Sequence, residues 1–255
     1  MEKSVVLYTT GIDSHILLQY VRTHIDPNTV PVYFQIGARY STIEQNMVET
    51  FEPKAIIDTS LYMKDMEQDS AFIPNRNILL TTMAVSKYSK RVFIGGSKSD
   101  RVSDNNEKCF DELSRFLTAI DGKDVITITS PFWHVYKDDM VNWYVKSQQG
   151  NKGVEKLVHE TFSCFRPEVA NKVSNYHFNK SDYEVVSRHC YSCSACFRRN
   201  AVLYSAGIIL PFYNEEIIQK YYDEFTSTIE LDPTNSRASG TLKYINLNMK
   251  YRNDR

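Results

Sequence analysis

Five short runs rich in β-branched and aromatic residues divide the first half of the chain, at residues 4–8, 29–35, 55–59, 91–96 and 125–129. Stretches with helical periodicity alternate with them, at 16–21, 41–50, 73–86, 110–120 and 137–145. Strands separated by a helix do not pair as hairpins; a crossover of about a dozen residues or more returns the chain to run parallel. The alternation therefore predicts βαβ units, an α/β fold with a parallel sheet of five strands. Local signals agree with it. Ser41 followed by Glu44 reads as a capping box, Pro53 ends the helix that follows, and Pro131 stops the fifth strand. Ligands of such sheets sit beyond the carboxyl ends of the strands. That singles out residues 9–14, 37–39, 95–100 and 130–137 as the borders of one composite site.

The first of these borders carries the most chemistry. Val5, Val6 and Leu7 run into Tyr8, Thr9, Thr10, Gly11, Ile12, Asp13 and Ser14, and an amphipathic segment follows. A strand, a tight turn and a helix N-terminus present several backbone N–H groups and the positive end of the helix dipole to one small volume. Phosphate suits that volume, and the hydroxyls of Thr9, Thr10 and Ser14 can add donors. A carboxylate such as Asp13 repels phosphate unless a divalent cation lies between them, which points to Mg²⁺. The plainer reading is that Asp13 or Ser14 caps a helix.

The second half reads differently. Residues 151–199 are irregular and hold four of the five cysteines, 200–209 and 214–225 read as helices, and a polar tail begins at Asp232. This predicts a nucleotide-binding domain over 1–150, a cysteine-bearing helical module over 151–210, and a helix with a polar tail over 211–255. Cys190, Cys193 and Cys196 stand two residues apart, with Cys164 upstream. Four thiolates on tight turns suit a tetrahedral zinc ion with no coordination position left for water, hence a structural one. An iron–sulfur cluster uses similar spacings, and free thiols are the remaining alternative. Arg198 and Arg199 stand next to the motif, where they can balance a four-thiolate charge. Cys109 stands apart. The formal net charge of −1 gives no ground for broad binding to a nucleic-acid backbone. No apolar run approaches the ~20 residues of a membrane span and no export signal opens the chain, so the expectation is a cytoplasmic protein with no membrane partner.

Residues 9–14 resemble the Ser-Gly-Gly-x-Asp-Ser loop of the PP-loop ATP pyrophosphatases, with Thr9 in place of Ser and Thr10 in place of the first Gly. More of the chain, in order from residue 4 to about 210, is similar to the 7-cyano-7-deazaguanine synthases. Ile36-Gly37-Ala38-Arg39-Tyr40 with Glu44 resembles their Tyr-Gly-Gln-Arg-His segment. Ile73-Pro74-Asn75-Arg76-Asn77 resembles Val-Pro-x-Arg-Asn, and Ile94-Gly95-Gly96 with Asp100 resembles Ile-Gly-Val-Asn-x-x-Asp. Thr129-Ser130-Pro131 with Lys137 and the closing cysteine motif complete the likeness.

The resemblance implies a Rossmann-like PP-loop domain with a zinc module, and ATP, Mg²⁺ and Zn²⁺ as cofactors. It implies catalytic roles for Asp13, Ser14, Arg76 and Lys137, and nucleotide contacts from Tyr8 to Ser14 and at Gly95. Arg39, Asn77 and Asp100 fall to the substrate, and Cys164, Cys190, Cys193 and Cys196 to the metal. Arg39 and Arg76 can hold phosphate or carboxylate bidentately, Lys137 can meet the departing pyrophosphate, and Asp100 can orient a purine-like base. Surface ion pairs for the arginines and a helix cap for Asn77 are the plainer alternatives. The implied partners are a deazapurine carboxylate and ammonia, with a homodimer left open. The segment from Arg101 to Cys109 lacks the family's Ser-Gly-Tyr-Pro-Asp-Cys-Arg, and the spacer between Cys164 and Cys190 is longer. These departures, and Thr10 in the loop, keep two further readings open. One is a variant that stops at the amide or conjugates the acid to a protein or nucleic-acid amine; the other is a degenerate nucleotide-sensing or scaffold module.

Overall fold

The computed structural model describes residues 3–100, 103–167 and 189–253. The long spacer between Cys164 and Cys190, and Arg101 and Val102 of the departing segment, lie outside the described residues. The chain forms two compact units. One comprises Met1–Tyr136 with Glu160–Phe162, the other Lys137–His159 with Ser163–Arg255.

The first unit is the five-stranded parallel sheet that the alternation predicts. In chain order it contains β1 (Val5–Leu7), α1 (Ile12–His24), β2 (Val30–Phe34), α2 (Ser41–Phe51), β3 (Ile56–Asp58), α3 (Arg76–Lys87), β4 (Arg91–Phe93), α4 (Glu107–Asp121) and β5 (Thr127–Thr129). The strands lie in the order β3-β2-β1-β4-β5, all parallel. β1 is the middle strand, with Val5 opposite Val30 on one side and Val92 on the other. A strand covered on both faces needs apolar residues at successive positions, and Val5 and Val6 are both buried. Helix α1 adds Ile16, Leu17 and Val21 to the same core. This strand order reverses direction between β1 and β4, so the loops leaving their carboxyl ends diverge around a crevice, the usual ligand position in open α/β sheets.

The strands match the expected runs within a few residues, but the helices show where the sequence signals mislead. Helix α4 begins at Glu107, three residues ahead of the expected 110, because the Asn106 side chain accepts from the Cys109 N–H at 3.0 Å and caps it. Ser41 and Glu44 form no capping box. The N-cap of α2 is Tyr40, which makes no side-chain cap bond, and Glu44 faces Tyr33 instead.

The second unit is helical: α5 (Lys137–Ser147), α6 (Asn151–His159), α7 (Ser194–Tyr204), α8 (Glu215–Leu231) and α9 (Ser236–Asn253). Residues 151–159, expected to be irregular, form α6. Helix α7 starts inside the cysteine motif and not at residue 200, because the Cys193 sulfur caps it by accepting from the Cys196 N–H. The expected polar tail is mostly the helix α9. Its buried residues Ala238, Thr241, Tyr244 and Ile245 fall at helical spacing but are diluted among polar neighbours, which hides the stripe. Phe197 of α7 stacks on Tyr221 of α8 with centroids 4.4 Å apart, and Tyr244 of α9 lies 5.8 Å away. Among the described residues no helix is long and apolar enough to cross a membrane.

Asp58, at the end of edge strand β3, fastens that strand to the C-terminal end of α3. Its carboxylate accepts from Lys87 Nζ at 2.6 Å, from Tyr88 Oη at 2.5 Å, and from both the N–H and the hydroxyl of Ser60. Burial alone would push this carboxyl up, but those donors outweigh it and hold it well below the usual carboxylate range. A depressed folded-state value stabilises the fold above the unfolded value and is lost as pH falls through the folded one. Asp58→Asn should therefore cost about 2 kcal/mol at pH 7. The gap to the wild type should narrow as pH drops below about 4, as urea unfolding at pH 7 and pH 3 would measure.

Candidate nucleotide site and cysteine centre

The turn between β1 and α1 bends through Thr10, whose φ of +56° lies in the left-handed region. That conformation costs a residue with a Cβ roughly 1–2 kcal/mol, and the fully buried Thr10 meets it with bonds on every side. Its hydroxyl donates to the Thr9 carbonyl at 2.6 Å, so it braces the loop and does not point outward as a donor. Its carbonyl accepts from the Phe162 N–H at 2.9 Å. The Ser14 hydroxyl accepts from the Thr9 N–H at 3.2 Å and donates to the Gly11 carbonyl at 3.1 Å, closing the turn on itself. What remains at the tip is the start of α1, with Gly11 as its N-cap and Asp13 in its first turn. No helix satisfies its own first N–H groups.

Gly95, after β4, is the second wall. A Cβ there would lie 3.2 Å from Asp13 Cβ and 3.4 Å from the Ser14 nitrogen, so the absent side chain lets the two loops close together. The strap Glu160–Phe162 lies along the loop: besides the Phe162 bond, Glu160 Oε2 sits 3.8 Å from His15 Nε2, and the Tyr8 hydroxyl lies 3.4 Å from His15 Nδ1. Nothing in the local sequence of the strap signals this return; only the fold brings it back.

The expected substrate residues are placed variously. Arg39 is committed to residues 67–69: its Nε donates to Glu67 Oε1 at 2.8 Å, and its two Nη groups donate to the Gln68 and Asp69 carbonyls. Asp100 folds back on its own loop, accepting from the N–H and the hydroxyl of Ser97. Asn77 donates its backbone N–H and its side-chain amide to buried Asp104, a member of the departing segment. Lys137 opens α5 and belongs to the second unit.

Arg76, in the first turn of α3, donates to the Tyr40 hydroxyl at 2.5 Å. Around that pair stand Glu44 and Tyr33, which the sequence reading left without a role at the site. Burial pushes the Glu44 carboxyl up to about 8, although Arg76 and the Tyr33 hydroxyl favour its ionised form. Burial likewise pushes the Tyr40 hydroxyl up to about 12, against the pull of Arg76. A Glu in α2 and an Arg at the start of α3, more than thirty residues on, are too sparse a signal to find in a sequence.

In the second unit the four cysteine sulfurs are buried and lie within 4.8 Å of one another. Four sulfurs at about 2.3 Å from one tetrahedral ion stand about 3.8 Å apart, and Cys190 Sγ and Cys196 Sγ are 3.9 Å apart. Backbone N–H groups of Cys190 and Arg166 donate to Cys164 Sγ at 3.3 Å each, orienting it. The neighbouring thiols push Cys190 and Cys193 down and push Cys164 and Cys196 up, so the four titrate as one coupled group. The donor set fits a single metal ion. Arg199 is buried on the same helix, donating to the Leu157 and Val158 carbonyls; burial pushes its guanidinium down from the ordinary value, with Tyr191 and Cys196 opposing that. Arg198 instead meets the Tyr221 hydroxyl at 3.3 Å and the face of Phe165.

A family profile described as "Queuosine biosynthesis protein QueC" matches residues 28–207. The matched span contains Arg39, Arg76, Gly95 and all four cysteines, and starts after the β1–α1 loop. Among solved structures, the U34-tRNA thiolase NcsA from Methanococcus maripaludis with its 4Fe–4S cluster is similar. It is 12% identical, with a TM-score of 0.39, over 97% of this chain and 73% of that one. The chain matches no curated protein.

Removing one sulfur leaves three thiols unable to complete a tetrahedral centre. A structural metal of this kind contributes on the order of 10 kcal/mol to folding in small metal-binding peptides. If the four cysteines hold one ion per chain, Cys193→Ser should lower soluble yield and reduce bound metal to a small fraction of that, as elemental analysis would read.

Proposed function

We propose that this chain, which belongs to the QueC family of queuosine biosynthesis proteins, is an ATP-dependent carbon–nitrogen ligase acting on 7-carboxy-7-deazaguanine. At the coarser level it is an ATP-using PP-loop enzyme. The observation that carries the finer reading is the β1–α1 turn. It is braced by Ser14 and by the strap, closed by Gly95, and holds Asp13 in the first turn of a helix whose N-terminus favours phosphate.

In this reading the loop N–H groups face the phosphates of ATP, and Asp13 would hold a Mg²⁺ ion that supplies positive charge there. A carboxylate oxygen of the substrate attacks the α-phosphorus, the bond to the bridging oxygen breaks, and pyrophosphate leaves. Ammonia adds to the acyl carbon of the adenylate, loses a proton, and expels AMP with one of the original carboxylate oxygens, giving the amide. A second ATP adenylates the amide oxygen as pyrophosphate leaves and the nitrogen loses a proton, and loss of AMP and of the second proton gives the nitrile. The protein supplies positioning and charge, with no covalent nucleophile of its own. Arg76 is the candidate partner for an anionic ligand and Lys137 for departing pyrophosphate. The cysteine centre takes Zn²⁺ in this reading. An iron–sulfur cluster spreads its cysteines over separate irons, whereas sulfurs this close suit a single ion.

One observation favours a variant outcome, an amide or a conjugate to a larger amine. Asp104 belongs to the segment that departs from the synthase pattern, and it accepts from the backbone N–H and the side-chain amide of Asn77, a residue the resemblance gives to the substrate. The buried carboxylate engages an amide that the resemblance reserves for the acid, which supports an altered substrate end.

Incubation with Mg²⁺·ATP, ammonium and 7-carboxy-7-deazaguanine, read by mass spectrometry, tests the proposal. The expected nucleotide products are AMP and pyrophosphate, and Asp13→Asn should lower their formation by about a hundredfold or more while the protein stays folded. ADP as the product would refute the assignment of the loop. Two ATP consumed per nitrile would decide for the full reaction, and one ATP per amide for the variant.

A further inference from the structure

We propose that α4 pairs antiparallel with α4 of a second copy of this chain, through an apolar stripe that its own fold leaves uncovered.

Among the described residues the sheet ends at β5, which pairs with β4 on one side alone. An edge strand presents backbone groups without ladder partners, and folds cover such edges. Here α4 covers the edge with hydroxyls. Thr118 Oγ1 accepts from the Ile126 N–H at 2.9 Å, and Ser114 Oγ accepts from the Ile128 N–H at 3.0 Å. The helix thus turns a small polar face to the strand, and of its fifteen residues only Phe110 is buried. With those two N–H groups engaged, a further strand has no ladder to join, so a partner on this side must meet the helix.

The apolar surface of α4 lies on another face. Cys109, Leu113, Phe116 and Ile120 recur at intervals of four, three and four, the seam of a coiled coil. Cys109 and Leu113 are half-buried, while Phe116 is 62% and Ile120 66% exposed. Large apolar side chains gathered on one exposed stripe mark an interaction site.

The stripe is complementary to itself. A two-fold axis between two such helices sets them antiparallel and makes every contact twice. The register that lays Leu113 against the partner's Phe116 also lays Cys109 against the partner's Ile120, so both layers of the seam fill at once. Glu112 and Arg115 line one flank of the stripe, both well exposed and paired within the chain at 2.9 Å. In the antiparallel pair this flank meets its own copy, and Arg115 comes within one turn of the partner's Glu112. Each cation then stands between two carboxylates and each carboxylate between two cations. That match of both signs, together with opposed helix dipoles, selects a second copy over an unrelated helix.

Sedimentation velocity of the full chain at micromolar concentration reads the assembly. The expected species is a dimer. Phe116→Glu, at an exposed position, should keep the circular dichroism spectrum of the wild type and raise the dissociation constant about a hundredfold or more. The register is read by a short bismaleimide. In the proposed pair the two Cys109 residues stand roughly 16 Å apart along the helix axis, too far for the linker to join. Ile120→Cys should therefore give a covalent dimer through Cys109, and neither the wild type nor Ile120→Cys combined with Cys109→Ser should do so. A wild type that stays monomeric, a dimer that Phe116→Glu leaves intact, or an Ile120→Cys variant that forms no link would overturn the proposal.

Discussion

Thr10 sits with a left-handed backbone at the end of the middle strand, and much of the first unit is arranged around keeping it there. A turn that exposes helix N–H groups to a phosphate must bend sharply, and glycine does so without strain. Here a threonine does it. The strain is held by the Ser14 bridge on one side of the turn, by the Phe162 N–H on the Thr10 carbonyl, and by the close approach of Gly95 on the other side. Local strain persists only where the surroundings over-determine it, and it gathers at binding sites. The turn is braced by the chain's own bonds, and a preformed set of donors is what stabilises charge on a phosphate at little reorganisation cost.

The alternation of β-rich runs with helices made the sheet legible, since period, length and proline stops all pointed to one fold. The loops at the carboxyl ends of β1 and β4 were legible as a pair for the same reason. The strand order places them together, and Gly95 meets Asp13 and Ser14. What stayed hidden depended on contacts distant in sequence or on stripes diluted by polar residues. The strap Glu160–Phe162 carries no signal of its own. Helix α9 buries Ala238, Thr241, Tyr244 and Ile245 within a polar stretch. Glu44 stood in plain view but suggested a cap, because a Ser three residues ahead of a Glu is the usual mark of one. Burial against Tyr33 and Arg76 outweighed that local preference.

The cysteine centre shows the opposite balance. Its ligands were legible from spacing alone, while the helix around it was not, because cysteines that bind metal read as turn residues. In the structure the Cys193 sulfur both faces the other three and caps α7. One atom thus ties the geometry of the centre to the start of the helix that carries Phe197 into the aromatic core of the second unit. The buried Arg199 offsets part of the negative charge such a centre holds, a balance that a neutral residue would not provide.

The central claim is that the turn between β1 and α1 directs attack at the α-phosphorus of ATP by a carboxylate of the substrate. Oxygen tracing tests it most directly. With 7-carboxy-7-deazaguanine labelled with ¹⁸O in both carboxylate oxygens, the account predicts one ¹⁸O atom in the AMP released with the amide, read by mass spectrometry of the nucleotide. AMP free of label, or label recovered in inorganic phosphate, would contradict it.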